Sequence, residues 1–338
     1  MRWIDGHLDL AYLAVNGRDM LRDQPPAGAC VTLGALRQAD VEVAFGTIFT
    51  EPTPGEPESS KPYCYRADDI DGAEAAGLRQ LEIYERWEAA GAIAIVRSVA
   101  DLDCSTPLPK IVLLMEGADP IRSPEHVQQW FARGLRIVGL TWASGTRYAG
   151  GNGSHPGSGP LTPLGVEMIH ALDAAGIVHD VSHLSDAAFD GVMEHARGRV
   201  IASHSNCRAL VEDKQRHLRD DQIKAIAQRN GIIGLNLYAA FLVPRAVRKQ
   251  PGGRRATIAD CIAHLQHVTE LMGHRRGVAM GSDMDGGFGI DDLPVGLDHP
   301  AKFDLLADAL CDAGWSDEDV RGFAHENWRG FLRQSLRA

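Results

Sequence analysis

His7 and Asp9 stand two positions apart in the run WIDGHLD, close to the start of this 338-residue chain. Side chains two apart on a strand share a face and lie roughly 6 to 7 Å apart along it, so a slight bend brings both to one cation. Other ligand-type residues recur at the ends of later apolar runs. Glu116 follows KIVLLM, His183 closes IVHDVSH, His204 lies near the end of VIASHS, and Asp283 closes GVAMGSD. Three imidazoles and two or three carboxylates form a donor set for a pair of divalent ions, Zn²⁺ in the first place, with one carboxylate bridging them about 3.5 to 4 Å apart. The chain has 14 histidines in all, so placement has to separate ligands from structural residues. His179 shares a run with His183 but lies four residues earlier; it reads as structural and directed into the lower part of the fold. His170, His195, His264 and His267 fall on helical stretches and His155 and His299 in loops, where structural roles are the expectation.

These residues need elements to carry them. Eight short β-like runs alternate with helical stretches: residues 3 to 9, 41 to 49, 110 to 117, 135 to 142, 177 to 183, 200 to 205, 232 to 238 and 277 to 283, with 92 to 98 as a supernumerary strand. Most are apolar nearly throughout, as parallel strands covered on both faces are. Eight βα units favour a closed (β/α)₈ TIM-type barrel over a doubly wound sheet, and no GxGxxG follows the first strand. The candidate donors then all fall at C-terminal strand ends, the rim where barrel active sites are built. Two excursions, 50 to 69, rich in Pro, Ser and acids, and 143 to 163, dense in Gly, Ser and Pro, also leave that rim. Extra helices follow the eighth strand, and Ser316 with the acidic residues through Asp319 reads as a capped helix start. No low-complexity linker interrupts residues 1 to 338, so a single barrel domain is expected.

Lys plus Arg total 34 against 45 for Asp plus Glu, a net charge of −11. Such a chain is a poor partner for nucleic acid or anionic lipid. The six cysteines form no CxxC pair, which argues against a zinc ribbon or disulfide scaffold. The first residues lack a basic region followed by an apolar stretch, and FLRQSLRA closes on a basic polar tail; a cytoplasmic protein without membrane attachment is expected.

The segments IDGHLDL, MEGAD, HDVSHLSD, ASHSNCRAL and MGSDMDG, taken in order, resemble the membrane (renal) dipeptidases and their bacterial relatives within the metal-dependent amidohydrolase superfamily. The likeness runs from residue 4 to about 286, and ENWRGFLR resembles the family's C-terminal helix. It implies a (β/α)₈ barrel with two Zn²⁺ per chain, one held by His7, Asp9 and Glu116 and the other by Glu116, His183 and His204. Asp283 would sit beside the water between them as the proton acceptor, with Glu116 shared at the centre of the chemistry. Arg216 matches a family arginine that grips the substrate carboxylate, with Arg208 and Arg219 as alternatives; Trp142 and Tyr148 complete the expected substrate-binding set. Some members carry His where Trp142 stands, and Ala143 and Thr146 occupy places where bacterial branches often carry Asn.

The resemblance implies hydrolysis of a dipeptide with a free C-terminal carboxylate. The alternatives are another binuclear amidohydrolase acting on N-acyl amino acids, lactones or phosphoesters, and a catalytically silent barrel serving as a binding module. The expected partner is a small dipeptide, with neither nucleic acid nor membrane, and a homodimer is left open.

Overall fold

The computed structural model describes residues 1–58, 60–153, 159–212 and 214–336. His155 and the last two residues of the basic tail lie outside them. Eleven strands occur among the described residues: β1 (Trp3–Leu8), β2 (Val41–Phe49), β3 (Glu51–Thr53), β4 (Cys64–Arg66), β5 (Ala94–Ile95), β6 (Lys110–Glu116), β7 (Leu135–Gly139), β8 (Val178–Asp180), β9 (Val200–Ile201), β10 (Ile233–Leu235) and β11 (Val278–Met280). Each of the eight expected runs supplies one strand. The 92 to 98 run supplies β5, which pairs only with the start of β6.

The ladders run β1-β2-β6-β7-β8-β9, all parallel, and a parallel bridge from Ala202 to Ile233 carries the sheet on to β10 and β11. No ladder joins β11 to β1 among the described residues. Side chains and loop backbone close that edge instead: Asp5 accepts the backbone N–H of Ser282 at 2.8 Å and its hydroxyl, and the Asp283 N–H donates to the His7 carbonyl at 3.2 Å. The result is a (β/α)₈ barrel.

Alternation along the strands divides the apolar residues between two cores. Val112 and Leu114 of β6, Ile137 of β7, Val178 of β8 and Ile201 of β9 belong to the barrel interior, while Ile111, Leu113, Met115 and Val138 pack against the surrounding helices. One end of the interior is filled from the C-terminal helix Asn327–Ser335 by Trp328, Phe331 and Leu332. Gly6 makes room for this packing: a Cβ there would stand 2.7 Å from the Trp328 ring. The indole N–H is satisfied by the Met280 carbonyl at 2.7 Å, as a buried donor requires.

Local signals account for many helix limits. Thr162 caps the helix Pro163–Ala175, which has proline in its first turn and ends at left-handed Gly176. Ser316 and Asp319 form the expected capping box. The helix expected from Ser316 onward is interrupted, however. A π-helical turn at Gly322–Glu326 separates Asp317–Arg321 from Asn327–Ser335, and there His325 bridges Glu42 at 2.8 Å and Glu326 at 2.9 Å. No described helix is long and apolar enough to cross a membrane.

Candidate metal centre

Each expected donor lies at a strand's C-terminal end. His7 is the next-to-last residue of β1 and Asp9 the first beyond that strand; Glu116 is the last residue of β6; His183, His204 and Asp283 each lie three residues beyond β8, β9 and β11. Those overhangs bend sharply. His183 and Asp283 have φ of 64° and 57°, a left-handed conformation that His and Asp adopt more readily than most side chains. The surrounding structure holds them there: the His183 carbonyl accepts from Asn152 N–H at 2.8 Å and from the Thr141 hydroxyl at 3.0 Å. Asp9 occupies the N-cap position of the helix Leu10–Val15 but makes no capping bond; its carboxylate accepts the Thr47 hydroxyl instead.

The three imidazoles converge on Glu116. Its Oε1 lies 3.2 Å from His183 Nε2, 3.4 Å from His204 Nε2 and 3.8 Å from His7 Nε2. Burial pushes the His7 imidazolium down to about 3, with Arg216 adding to the effect, and holds His183 and His204 well below the usual histidine range. The three rings are therefore neutral near pH 7 and do not form ion pairs with Glu116. Burial, reinforced by Asp9 and Asp283, raises the Glu116 carboxyl well above its ordinary value. Its Oε1 is buried and accepts no hydrogen bond. Neutral imidazole lone pairs around an unpartnered buried carboxylate oxygen fit a divalent cation.

Donor atoms of His7, Glu116 and His204 lie within 4.8 Å of one another, and so do those of His7, Asp9 and Asp283. This grouping differs from the implied one. His7 is common to both close sets, and Asp283 stands as near as a ligand would. His183 joins through Glu116 and through His204 Nε2 at 3.0 Å.

Several orienting residues were not singled out in the sequence. Asn152 Oδ1 faces His183 Nδ1 at 3.0 Å, Asn236 Nδ2 donates to Asp283 Oδ2 at 2.8 Å, and Ser203 Oγ lies 2.7 Å from His204 Nδ1. A signal did exist for two of them. Asn236 is a lone amide in the apolar run IIGLNLY, and Ser203 stands immediately before a candidate ligand.

Arg216 is buried beside this cluster. Its guanidinium donates to the His204 carbonyl at 2.7 Å and the Ser205 hydroxyl at 3.1 Å, while Nε has no partner. No carboxylate pairs with it among the described residues. Arg208 is instead bound in bidentate fashion to Asp186, at 2.7 and 2.9 Å, and Arg219 to Asp221, at 2.9 Å. Trp142 is partly exposed, with ring centroids 6.1 Å from His183 and 5.3 Å from Phe49. Tyr148 departs from its expected substrate-binding place: its ring is fully buried and its hydroxyl donates to the Ile121 carbonyl, so it packs the fold. His179 is structural as expected but points elsewhere, bonding Asp173 on the helix Pro163–Ala175 at 2.7 Å. Val178 takes the barrel interior, and alternation sends the next side chain outward.

Residues 1–335 match the sequence model described as Membrane dipeptidase (Peptidase family M19). A Klebsiella pneumoniae protein named only by its place in the pqqA 5'region is 31% identical over 276 residues, covering 78% of this chain and 96% of its own. An uncharacterized dipeptidase of Schizosaccharomyces pombe is 26% identical over 338 residues, covering 96% of this chain and 78% of its own. Among solved structures, a metallo peptidase from Rhodobacter sphaeroides, liganded with a phosphinate mimic of L-Ala-D-Ala, superposes with a TM-score of 0.82 at 24% identity. That superposition covers 99% of each chain.

Proposed function

The chain belongs to the membrane dipeptidase family, peptidase family M19, and from that premise we propose that it hydrolyses the amide bond of dipeptides carrying a free C-terminal carboxylate. The observation that carries this reading is the buried Glu116 Oε1, ringed by three neutral imidazoles and accepting no hydrogen bond. His7, Asp9 and Glu116 would hold one zinc ion, and Glu116, His183 and His204 the second. Bound there, the ions would polarise the scissile carbonyl and make a water nucleophilic at neutral pH.

The chain's own residues do the rest. Asp283, steadied by Asn236, accepts a proton from the attacking water and returns it to the amine as the C–N bond breaks. Arg216 offers its guanidinium to the substrate carboxylate, and a planar fork suits that ligand. Trp142 supplies a flat apolar wall beside His183.

Elemental analysis of the purified protein is expected to find about two divalent ions per chain, with turnover of dipeptides and little or none of N-acyl amino acids, lactones or phosphoesters. A protein that takes up no stoichiometric metal after reconstitution with zinc would remove the basis for the reading. Arg216→Met separates a dipeptidase from other amidohydrolases. It should lower kcat/KM on free dipeptides by about 10² or more but leave the corresponding C-terminal amides little changed, because the amides have no charge pair to lose. Equal losses on acid and amide would show that Arg216 supports the fold instead.

A further inference from the structure

Behind the imidazoles lies a chain of hydrogen bonds whose directions can be worked out. Asp180 Oδ1 accepts the backbone N–H of Ser182 at 3.0 Å and of Ser203 at 2.9 Å, while its Oδ2 lies 2.5 Å from Ser203 Oγ. The same Oγ is 2.7 Å from His204 Nδ1 and 3.3 Å from His7 Nδ1. A hydroxyl has one proton and two acceptor lone pairs. If that proton goes to the carboxylate, both lone pairs are left for ring N–H donors, and all three contacts are satisfied together.

The ring geometry agrees with this direction. His7 and His204 stack with centroids 3.6 Å apart and planes 26° apart. Their Nδ1 edges meet Ser203, and their Nε2 atoms lie 3.8 and 3.4 Å from Glu116 Oε1. The Ser203 backbone is itself clamped, since a Cβ at Gly234 or at Gly281 would stand 1.9 Å from its carbonyl oxygen.

We propose that the Asp180–Ser203 pair fixes the tautomers of His7 and His204, placing a proton on each Nδ1 and leaving each Nε2 free to bind a metal. Ser203 is then a positioning residue acting through two ligands at once, and Asp180 sets the direction of its proton. This inference rests on the reading of the cluster as a metal centre. An imidazole with Nε2 protonated cannot ligate through that atom, so the pair prepares the site before any ion arrives.

The test uses the whole chain, made metal-free with a chelator and labelled with ¹⁵N in its histidine rings, with signals assigned by correlation to each backbone. His7 and His204 should show a pyrrole-like Nδ1 and a pyridine-like Nε2. Zinc affinity, measured by competition with a chromophoric chelator, should fall about 10- to 100-fold in Ser203→Ala and recover to within a few-fold in Ser203→Thr, which restores the hydroxyl. Asp180→Asn keeps the acceptor for both backbone N–H groups but turns an NH₂ towards Oγ. The serine proton should then point at His204 Nδ1 and move the ring proton to Nε2, a change visible without metal. A protonated Nε2 on either ring of the wild-type protein would overturn the proposal, as would unchanged zinc affinity in Ser203→Ala. A wild-type protein that binds no zinc would defeat the metal-centre reading instead, and the ring-nitrogen signals would still decide this one.

Discussion

Glu116→Gln is expected to lower dipeptide turnover by more than about 10³-fold and to reduce bound metal below the wild-type stoichiometry, since donors that share one carboxylate act as a unit. Gln keeps the shape of the side chain but removes the charge on which the three imidazoles converge. Its effect on stability should have the opposite sign. Glu116 is buried with an Oε1 that accepts no hydrogen bond, and burial raises its pKa. A carboxyl with a raised folded-state pKa favours the folded state when protonated. That contribution is full below the unfolded pKa and is lost as pH rises through the folded one. With chelator present at neutral pH, Glu116→Gln should therefore melt at or above the wild-type temperature, and the difference should shrink as pH falls towards the ordinary carboxylate range. Addition of zinc should reverse the order, because the wild-type cluster gains more from binding. Calorimetry with and without metal checks both signs. A metal-free variant that melts well below the wild type would mean that Glu116 carries the fold rather than a cation. His179→Gln is the control: its ring is bound to Asp173, away from the cluster, so metal content should be retained.

Asp283→Asn should lose about 10² to 10⁴ in kcat while keeping its metal, the cost of removing a general base. Asparagine is the informative replacement because Asp283 has φ of 57°, and Asn tolerates the left-handed region as readily as Asp. An alanine there would mix backbone strain with lost chemistry. The prediction is a sharp one because donor atoms of Asp283, His7 and Asp9 lie within 4.8 Å of one another, close enough for Asp283 to act as a ligand. Metal content measured beside kcat decides between the two roles. Loss of an ion from Asp283→Asn would make Asp283 a ligand and leave the proton acceptor to be sought elsewhere.

Much of this molecule can be read from local sequence. Eight apolar runs between helical stretches report parallel strands because both faces of such strands are covered, and the donor residues stand at the ends of those runs. Residue type and strand-end position are local properties, so His7, Asp9, Glu116, His183, His204 and Asp283 could be named as candidate donors from the chain alone. Helix limits such as Thr162 and Ser316 are local too, because a cap bonds to backbone within the same turn.

Only the tertiary structure decided which atoms meet. Once a strand ends, alternation no longer predicts direction: His183 turns to Glu116 through a left-handed residue, whereas His179, still on the strand, faces a helix. Tyr148 was drawn into the packing by a carbonyl 27 residues away, and Asn152 reached His183 across 31. The β11-to-β1 edge is closed by Asp5 and Ser282, 277 residues apart. The proton direction through Asp180, Ser203 and the two histidines depends on three strand ends meeting at one hydroxyl. Spacing along a chain cannot encode that meeting, because sheet register and the paths of loops are set by contacts between residues far apart in sequence.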